Sequence, residues 1–193
     1  MIYRRANRFI LLDALNVPAS APKKKIMIKT VYIGIGSNLN DPEKNCKQAI
    51  DLIHAHPDIA VTARSAFYET EPWGIKDQNW FVNAVIRAET SLPPKELLLV
   101  LLTMEIKMGR VRGEKWGPRI IDLDLLLYED LILEIEGLKI PHPEIQNRNF
   151  VLIPLLEIDP ERTHPVFKKT PGELLESLTD QQKIRKIQNP AER

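Results

Sequence analysis

From Thr30 onward, apolar residues recur with two different periods, and each change of period marks a new element. Val31-Tyr32-Ile33-Gly34-Ile35 is a short continuous apolar run that closes in Gly36-Ser37-Asn38, the pattern of a buried strand and its exit turn. Asp41-Pro42 then supplies an N-cap and an early helical proline. Cys46, Ala49, Ile50 and Ile53 follow at helical spacing, which predicts a helix to about His56, ahead of Pro57. A second strand is expected from Ile59 to about Tyr68, followed by the loop Glu69-Thr70-Glu71-Pro72-Trp73-Gly74. Trp80 to Ala88 alternates, with Val82, Ala84 and Ile86 on one face and Phe81, Asn83, Val85 and Arg87 on the other. Pro93-Pro94 opens a longer helix whose Leu97, Leu98, Leu101, Leu102 and Ile106 are expected to pack inward, with Gly109 as its C-cap.

The last strongly patterned strand runs from Ile120 to Tyr128, with Ile121, Leu123, Leu125 and Leu127 on one face and Asp122 and Asp124 on the other. A hairpin is expected around Glu136-Gly137, then a helix that includes Asn147-Arg148-Asn149-Phe150, and a further helix starting at Thr170-Pro171. Two strand-helix-strand passages, Val31 to Tyr68 and Trp80 to Tyr128, predict an α+β sheet with helices packed on it. With 193 residues, 44% of them hydrophobic, the chain has material for one domain, placed at 30–180 with a polar tail at 181–193.

Charge sets the beginning of the chain apart. Residues 1–26 carry six Lys/Arg and one Asp, leaving 21 basic against 25 acidic residues in the remainder. A body of that charge is not a general nucleic-acid binder. The basic leader, 1–29, is expected to be disordered, or translation to begin at Met27. Cys46, the only cysteine, sits among apolar neighbours and is expected to be a buried structural thiol. No C-x-x-C occurs, which fits a reducing compartment. No apolar run approaches the roughly 18 residues needed to cross a bilayer. A cytoplasmic protein without membrane or nucleic-acid partners is therefore expected. His54, His56 and His164 are expected as surface or packing residues.

Chemistry concentrates between Arg110 and Asp124, which reads R-V-R-G-E-K-W-G-P-R-I-I-D-L-D. Asp122 and Asp124, two apart on a strand, have Cα atoms roughly 6–7 Å apart, so their oxygens can converge on a common cation. Magnesium takes oxygen ligands and is commonly shared between one or two carboxylates and substrate phosphates. Arg110, Arg112, Lys115 and Arg119 suit the rest of a polyphosphate. A lone D-x-D is more often a solvated pair at a strand end; the adjacent W-G-P-R reverses that balance. Gly34-x-Gly36 lacks the third glycine of a dinucleotide fingerprint, since Leu39 stands there, and no Gly-Lys-Ser/Thr of a P-loop occurs. Gly36-Ser37-Asn38 reads instead as a turn whose backbone approaches a ligand. Phe81 and Asn83 point together and suit a flat heteroaromatic ring, although a core phenylalanine beside a backbone-satisfying asparagine fits the same pattern.

Taken in order, Gly36-Ser37-Asn38-Leu39, Phe67-Tyr68-x-Thr70-x-Pro72-x-Gly74, Phe81-x-Asn83-Ala84, Gly109-Arg110-x-Arg112, Trp116-Gly117-Pro118-Arg119-x-x-Asp122-x-Asp124 and Pro141-His142-x-x-x-x-Asn147-Arg148-x-Phe150 form a specific set. Between about Thr30 and Glu161 this set resembles 6-hydroxymethyl-7,8-dihydropterin pyrophosphokinases of folate biosynthesis. The resemblance implies a ferredoxin-like antiparallel sheet and transfer of pyrophosphate from ATP to the pterin hydroxymethyl group, releasing AMP. Carried over by residue, it gives Asp122 and Asp124 two Mg²⁺ ions, with Arg110 and Arg119 beside them in catalysis. Phe81 and Phe150 would sandwich the pterin, while Gly36, Asn83 and the backbone around Thr70 and Trp73 would meet its edge. Arg110, Arg112, Lys115, Trp116, Arg119, His142 and Arg148 would address the phosphates and nucleotide.

Three departures from the family pattern stand out. The Arg112 to Trp116 segment is one residue short with Gly113 where a lysine can occur, Trp73 replaces a smaller aliphatic, and Pro143 stands where an aromatic can occur. Arg110 to Pro118, following a helix cap and containing Gly113 and Gly117-Pro118, is expected to act as a lid. A two-metal nucleotidyltransferase also joins a Gly-Ser turn to a D-x-D strand, but there the two lie close in sequence, whereas Ser37 and Asp122 are 85 residues apart. An RNA-binding module using Arg110, Arg112, Trp116 and Arg119 would bind without Mg²⁺ and weaken steeply with salt.

Overall fold

Strand β1, Lys29–Ser37, is apolar on both faces: Val31, Ile33 and Ile35 look one way and Tyr32 the other, all buried. Such a strand belongs in the middle of a sheet, and the computed structural model places it there. The structure describes residues 27–72, 75, 77–111, 117–179 and 182–188. Residues 1–26 of the leader expected at 1–29, as well as Trp73, Arg112, Lys115 and Trp116, lie outside the described residues, and Lys29 belongs to β1.

Helix α1, Pro42–His54, starts where Asp41 accepts the Lys44 N–H at 3.1 Å, and it buries Cys46, Ala49, Ile50 and Ile53 as the pattern predicts. Burial pushes the Cys46 thiol up to about 12, so it packs as an inert group. The strand expected from Ile59 to Tyr68 is instead two, β2 (Ile59–Arg64) and β3 (Tyr68–Thr70). The break falls at Ser65, whose hydroxyl accepts the Val85 N–H at 3.0 Å, so a side chain takes the place of a ladder carbonyl. Both β2 and β3 pair antiparallel with β4, Phe81–Thr90.

Helix α2, Pro94–Lys107, buries Leu97, Leu101, Met104 and Glu105. Ile106, expected inward, is 71% exposed. Nine positions after Leu97 at about 100° each bring a side chain to the opposite side of the helix, which accounts for the difference. Gly109, at φ +88°, caps the helix in the left-handed region that glycine adopts freely.

Strand β5, Asp122–Tyr128, pairs antiparallel with β1, but its register shifts between Tyr32 and Ile33. Leu126 is the extra residue at this bulge. Leu127 therefore leaves the face expected for it and joins Leu126 against the second apolar cluster, while Tyr128 returns to the first. The hairpin of β6 (Leu133–Ile135) and β7 (Leu138–Ile140) turns at Gly137, as expected. Helix α3 spans Asn149–Ile158, with a 3₁₀ turn at Ile145–Asn147 before it and Arg148 extended between them, so Asn147 and Arg148 precede the helix they were expected to join. Helix α4, Pro171–Glu176, is closed by a capping box between Thr170 and Glu173. Part of the expected polar tail forms strand β8, Ile184–Lys186, which pairs with β3.

The main sheet runs β5-β1-β4-β3-β8, with β2 also on β4, and its pairings are antiparallel. Cys46, Ile53, Leu97 and Leu101 bring α1 and α2 onto one face. Val151, Leu152, Leu155 and Leu174 bring α3 and α4 onto the other. Among the described residues no helix is long and apolar enough to cross a membrane. His54 is exposed, and His164 is buried, its Nδ1 accepting the Val166 N–H at 3.2 Å.

Candidate active site

Gly36 is paired with Asn83 on one side and Asp122 on the other, and Gly34 with Val85 and Asp124. Partners in an antiparallel pair point to the same face, so the two aspartates and Asn83 flank a strip of β1 that carries no side chains. The strip has to be bare at Gly36: a Cβ there would stand 2.8 Å from Asn83 Oδ1. At Gly34 a Cβ would already touch Leu126 at 3.4 Å. The outcome is a slot of about 90 Å³ over the glycines, with Phe81 and Phe150 among its walls.

Asn83 is buried, and its Nδ2 donates to Thr70 Oγ1 at 2.7 Å, which leaves Oδ1 as an acceptor beside Gly36. Arg119 lies over the Phe81 ring at 5.9 Å and Arg148 over the Phe150 ring at 5.7 Å. Each contact contributes about 0.5–1 kcal/mol at a partly exposed site. Both rings therefore hold a cation that a neutral ring can replace at small cost.

Asp122 binds Arg110 through Oδ1 and Arg119 through Oδ2, the latter at 2.5 Å. The same Arg110 Nη1 also donates to Glu105, a carboxylate only 3% exposed that accepts the Leu123 N–H at 2.7 Å. Desolvation holds Glu105 above the ordinary carboxylate range, although the Leu123 N–H and Arg110 draw it back. Sequence reasoning missed Glu105. Its signal was a carboxylate in the inward row of α2, one turn before the Gly109 cap. Asn38 was legible only as part of a turn, yet it is fully buried and exchanges hydrogen bonds with Arg119, N–H to O at 3.1 Å and Oδ1 from N–H at 2.8 Å. Its Nδ2 donates to Gln78 Oε1 and Asn79 O, so one side chain ties the β1 exit to both flanking loops.

Asp124 Oδ2 lies 3.6 Å from Arg148 and 4.0 Å from His142 Nε2. Desolvation, then repulsion from Asp122, pushes its carboxyl up to about 7. Desolvation and the neighbouring Arg148 bring His142 down to about 4, so its imidazole is neutral. His142 Nδ1 accepts the Glu144 N–H at 3.2 Å, which leaves the proton on Nε2, facing Asp124. A carboxyl whose folded pKa exceeds its unfolded value contributes stability that is present below about pH 4 and lost as pH rises through the folded pKa. Without divalent cations, the wild-type protein should lose melting temperature between pH 5 and pH 8 relative to Asp124→Asn. Parallel melts of the two proteins check this, and a constant difference across that range would contradict it.

On the other side of the aspartates lies a wider cavity of about 810 Å³. Leu98, Leu102 and Ile106 of α2 face Ile135 and Leu138 of the hairpin across it, and Arg110, His142 and Arg148 line its inner end. Ile106 is thus exposed into a cavity. Slot and cavity share Asp122, Asp124, Arg119 and Arg148.

The donor chemistry at this junction fits a hard divalent cation. Asp122 and Asp124 offer oxygens only, and the charge that desolvation and mutual repulsion make costly on Asp124 is the charge that a cation relieves. Among the described residues no cluster of three or more His, Cys, Asp or Glu could cage a metal by itself. Water and phosphate must complete the shell, which is how Mg²⁺ is usually held.

The model of the 7,8-dihydro-6-hydroxymethylpterin-pyrophosphokinase family matches residues 32–160. The 2-amino-4-hydroxy-6-hydroxymethyldihydropteridine pyrophosphokinase of Methylorubrum extorquens is 47% identical over 130 residues, 67% of this chain and 82% of that protein. The enzyme of the same name from Aquifex aeolicus is 43% identical over 140 residues, 72% of this chain and 86% of that one. The crystal structure of Plasmodium falciparum HPPK-DHPS wild type with pteroate superposes with a TM-score of 0.64 at 15% identity, over 78% of this chain and 42% of that chain. At that identity the likeness speaks for the fold alone.

Proposed function

The chain belongs to the 7,8-dihydro-6-hydroxymethylpterin-pyrophosphokinase family, and from that premise we propose how its own residues carry out the reaction. ATP gives its β,γ-pyrophosphate to the hydroxymethyl oxygen of 6-hydroxymethyl-7,8-dihydropterin, and AMP leaves, a step of folate biosynthesis. The observation that carries the assignment of sites is the junction: a narrow slot and a wide cationic cavity meet at one carboxylate pair. The path β1-α1-β2 and β4-α2-β5, with β1 and β4 central, is read as ferredoxin-like.

The pterin takes the slot, its ring between Phe81 and Phe150 and its edge on Asn83 Oδ1 and the Thr70 segment. Stacking on an aromatic side chain contributes about 1–3 kcal/mol for a nucleic-acid base, more than the cation contacts it displaces. ATP takes the wide cavity, its base between α2 and the hairpin and its phosphates toward the arginines. Asp122 and Asp124 would hold Mg²⁺, two ions in this reading, which when bound neutralises phosphate charge and favours ionisation of the attacking hydroxyl.

The chain's own groups do the positioning. Arg119 and Arg148, displaced from the phenylalanine faces by the pterin, are released toward the phosphates, where forked guanidinium bonds are strong. Binding of one substrate thereby prepares the site for the other. Arg110 stays braced on Glu105 while it faces the same charge. His142, neutral with its proton on Nε2, donates a hydrogen bond without adding charge. No protein nucleophile is needed, since transfer of this kind depends on alignment and charge neutralisation. Arg112, Lys115 and Trp116 complete the nucleotide side by family resemblance, Trp73 the pterin side, and the segment 110–118 remains a lid in this proposal.

The alternatives explain less. A nucleotidyltransferase leaves the phenylalanine-walled slot without a ligand. An RNA-binding module needs its cations on the surface, but Arg110, Arg119 and Arg148 are each under 25% exposed and turned onto carboxylates. A reducing, nucleotide-containing compartment, the cytoplasm, suits both the free Cys46 and the co-substrate.

Phe150→Ala is expected to weaken pterin binding roughly tenfold or more while leaving ATP affinity within twofold, from the loss of one stacking face. Calorimetry with each ligand checks it, and equal losses would assign Phe150 to the fold instead. Turnover tests the reaction itself: AMP should form only when pterin, ATP and a divalent cation are all present.

A further inference from the structure

Beyond residue 160, the last position matched to the family, the chain returns to the pterin slot. Residues 182–188 are held against the sheet by more than the three-residue pairing of β8 with β3. Ile187 N–H donates to Phe67 O at 2.8 Å, Lys183 pairs with Glu71 at 3.1 Å, and Lys186 pairs with Glu157 of α3 at 2.9 Å. Arg185 also binds Glu69 and lies over the Trp80 ring at 5.0 Å. This anchoring brings Gln182 to the wall of the slot, beside Glu71.

Gln182 is fixed at two points. Its main-chain oxygen accepts from Asn149 Nδ2 at 2.7 Å, next to the wall residue Phe150, and its own Nε2 donates to Glu71 O at 3.3 Å. Its Oε1 is buried and has no hydrogen-bond partner among the described residues. A buried acceptor without a donor is unfavourable, and native structures rarely keep one unless something else supplies the donor.

The substrate class named for the relatives carries its hydroxymethyl group at position 6 and its amino group at position 2, at opposite ends of the bicyclic ring. If the hydroxymethyl end meets Asp122 and Asp124 on β5, the amino end points across β1 and β4 toward β3. Three strand spacings, about 14 Å in all, separate β5 from β3, a span filled by a bicyclic ring roughly 9 Å long with its substituents and a hydrogen bond of about 2.9 Å at each end. Asn83 and Gln182 line the slot, each with a side-chain oxygen not engaged by another group among the described residues, and the pterin edge arriving at the far end is rich in N–H donors. We propose that Gln182 is a specificity-determining residue of the pterin subsite, its side-chain carbonyl accepting an N–H from the 2-amino edge of the ring. The segment leading into the C-terminal strand is then part of the substrate site. This inference rests on the assignment of the slot to the pterin.

The test is calorimetry of the full chain with three ligands: 6-hydroxymethylpterin, its analogue with oxygen in place of the 2-amino group, and a non-hydrolysable ATP analogue. Wild type should prefer the amino compound. Gln182→Leu, and Gln182→Met as an unbranched substitute for the same side chain, should lose about tenfold in affinity for the pterin, the effect of one hydrogen bond. Their preference over the oxo analogue should shrink by the same factor, with ATP-analogue affinity unchanged. Unchanged pterin affinity in both variants would overturn the proposal, and so would equal losses for the two pteridines, which would make Gln182 a packing element only. Failure of wild type to bind any pteridine would instead overturn the slot assignment itself, and this inference with it.

Discussion

Asp124→Asn is expected to keep the fold and lower kcat by roughly a thousandfold, about 4 kcal/mol of transition-state stabilisation. The fold is safe because the nearest side-chain partners of this carboxylate are cationic Arg148 at 3.6 Å and neutral His142 at 4.0 Å, neither of which depends on it alone for a place in the structure. Activity is vulnerable because a neutral amide binds a hard cation far more weakly and cannot balance the charge that gathers at the junction of slot and cavity. Melting curves and steady-state rates at saturating Mg²⁺ check both halves. A rate within tenfold of wild type would remove Asp124 from the metal site. Asp122→Asn should behave differently, since Arg110 and Arg119 both close on Asp122 and would lose a shared counter-charge.

The second large effect is expected at Glu105, which is buried in the wall of the wide cavity and braces Arg110. Glu105→Ala should cost about 3 kcal/mol of stability, the low end for removing one partner of a buried ion pair, because Arg110 keeps Asp122. For a chain of this size that lowers the melting temperature by about 6–12 °C. The Leu123 N–H would be left buried and unpaired, and Leu123 lies between the two aspartates. Activity should therefore fall about a hundredfold through misplacement of β5 and Arg110, as small displacements at a reacting centre do. Glu105→Gln retains an acceptor for Leu123 N–H and should recover most of the stability but not the rate. Thermal melts and kcat for the pair check it; equal rates in Gln and wild-type proteins would make the Arg110 brace dispensable.

The elements most legible in the sequence were those whose periodicity is set by local geometry. β1, α1, β4, α2 and the Gly137 hairpin follow from spacing and caps, and the bare glycines beside Asp122 and Asp124 follow once β1 is seen to lie between β4 and β5. What local patterning misses is pairing. The break at Ser65 depends on Val85 twenty residues away, and the bulge at Leu126 on how β5 meets Tyr32 and Ile33. Strand β8 carries a weak polar pattern of its own and exists because β3 offers it an edge and the acidic residues Glu69, Glu71 and Glu157 receive its cations.

The site divides in the same way. Asp122, Asp124, Phe81, Asn83, His142, Arg148 and Phe150 were reached from motif and face, and the structure brings them together. Arg110 and Arg119 were expected to address phosphates; in the structure both are turned onto Asp122. Cations held at low exposure need a counter-charge, and the adjacent carboxylate provides one. Glu105, Asn38 and Gln182 were not visible as site residues, since each acts through a contact with a segment distant in sequence.

The most direct test of the central claim uses ATP labelled at both the β and γ phosphorus, incubated with the protein, Mg²⁺ and 6-hydroxymethyl-7,8-dihydropterin. If Asp122 and Asp124 direct the pterin hydroxyl to the β phosphorus, both labels appear together in one pterin diphosphate and the nucleotide product is unlabelled AMP. Transfer of the γ label alone with release of labelled ADP, or release of both labels as free pyrophosphate without a pterin product, would contradict the account.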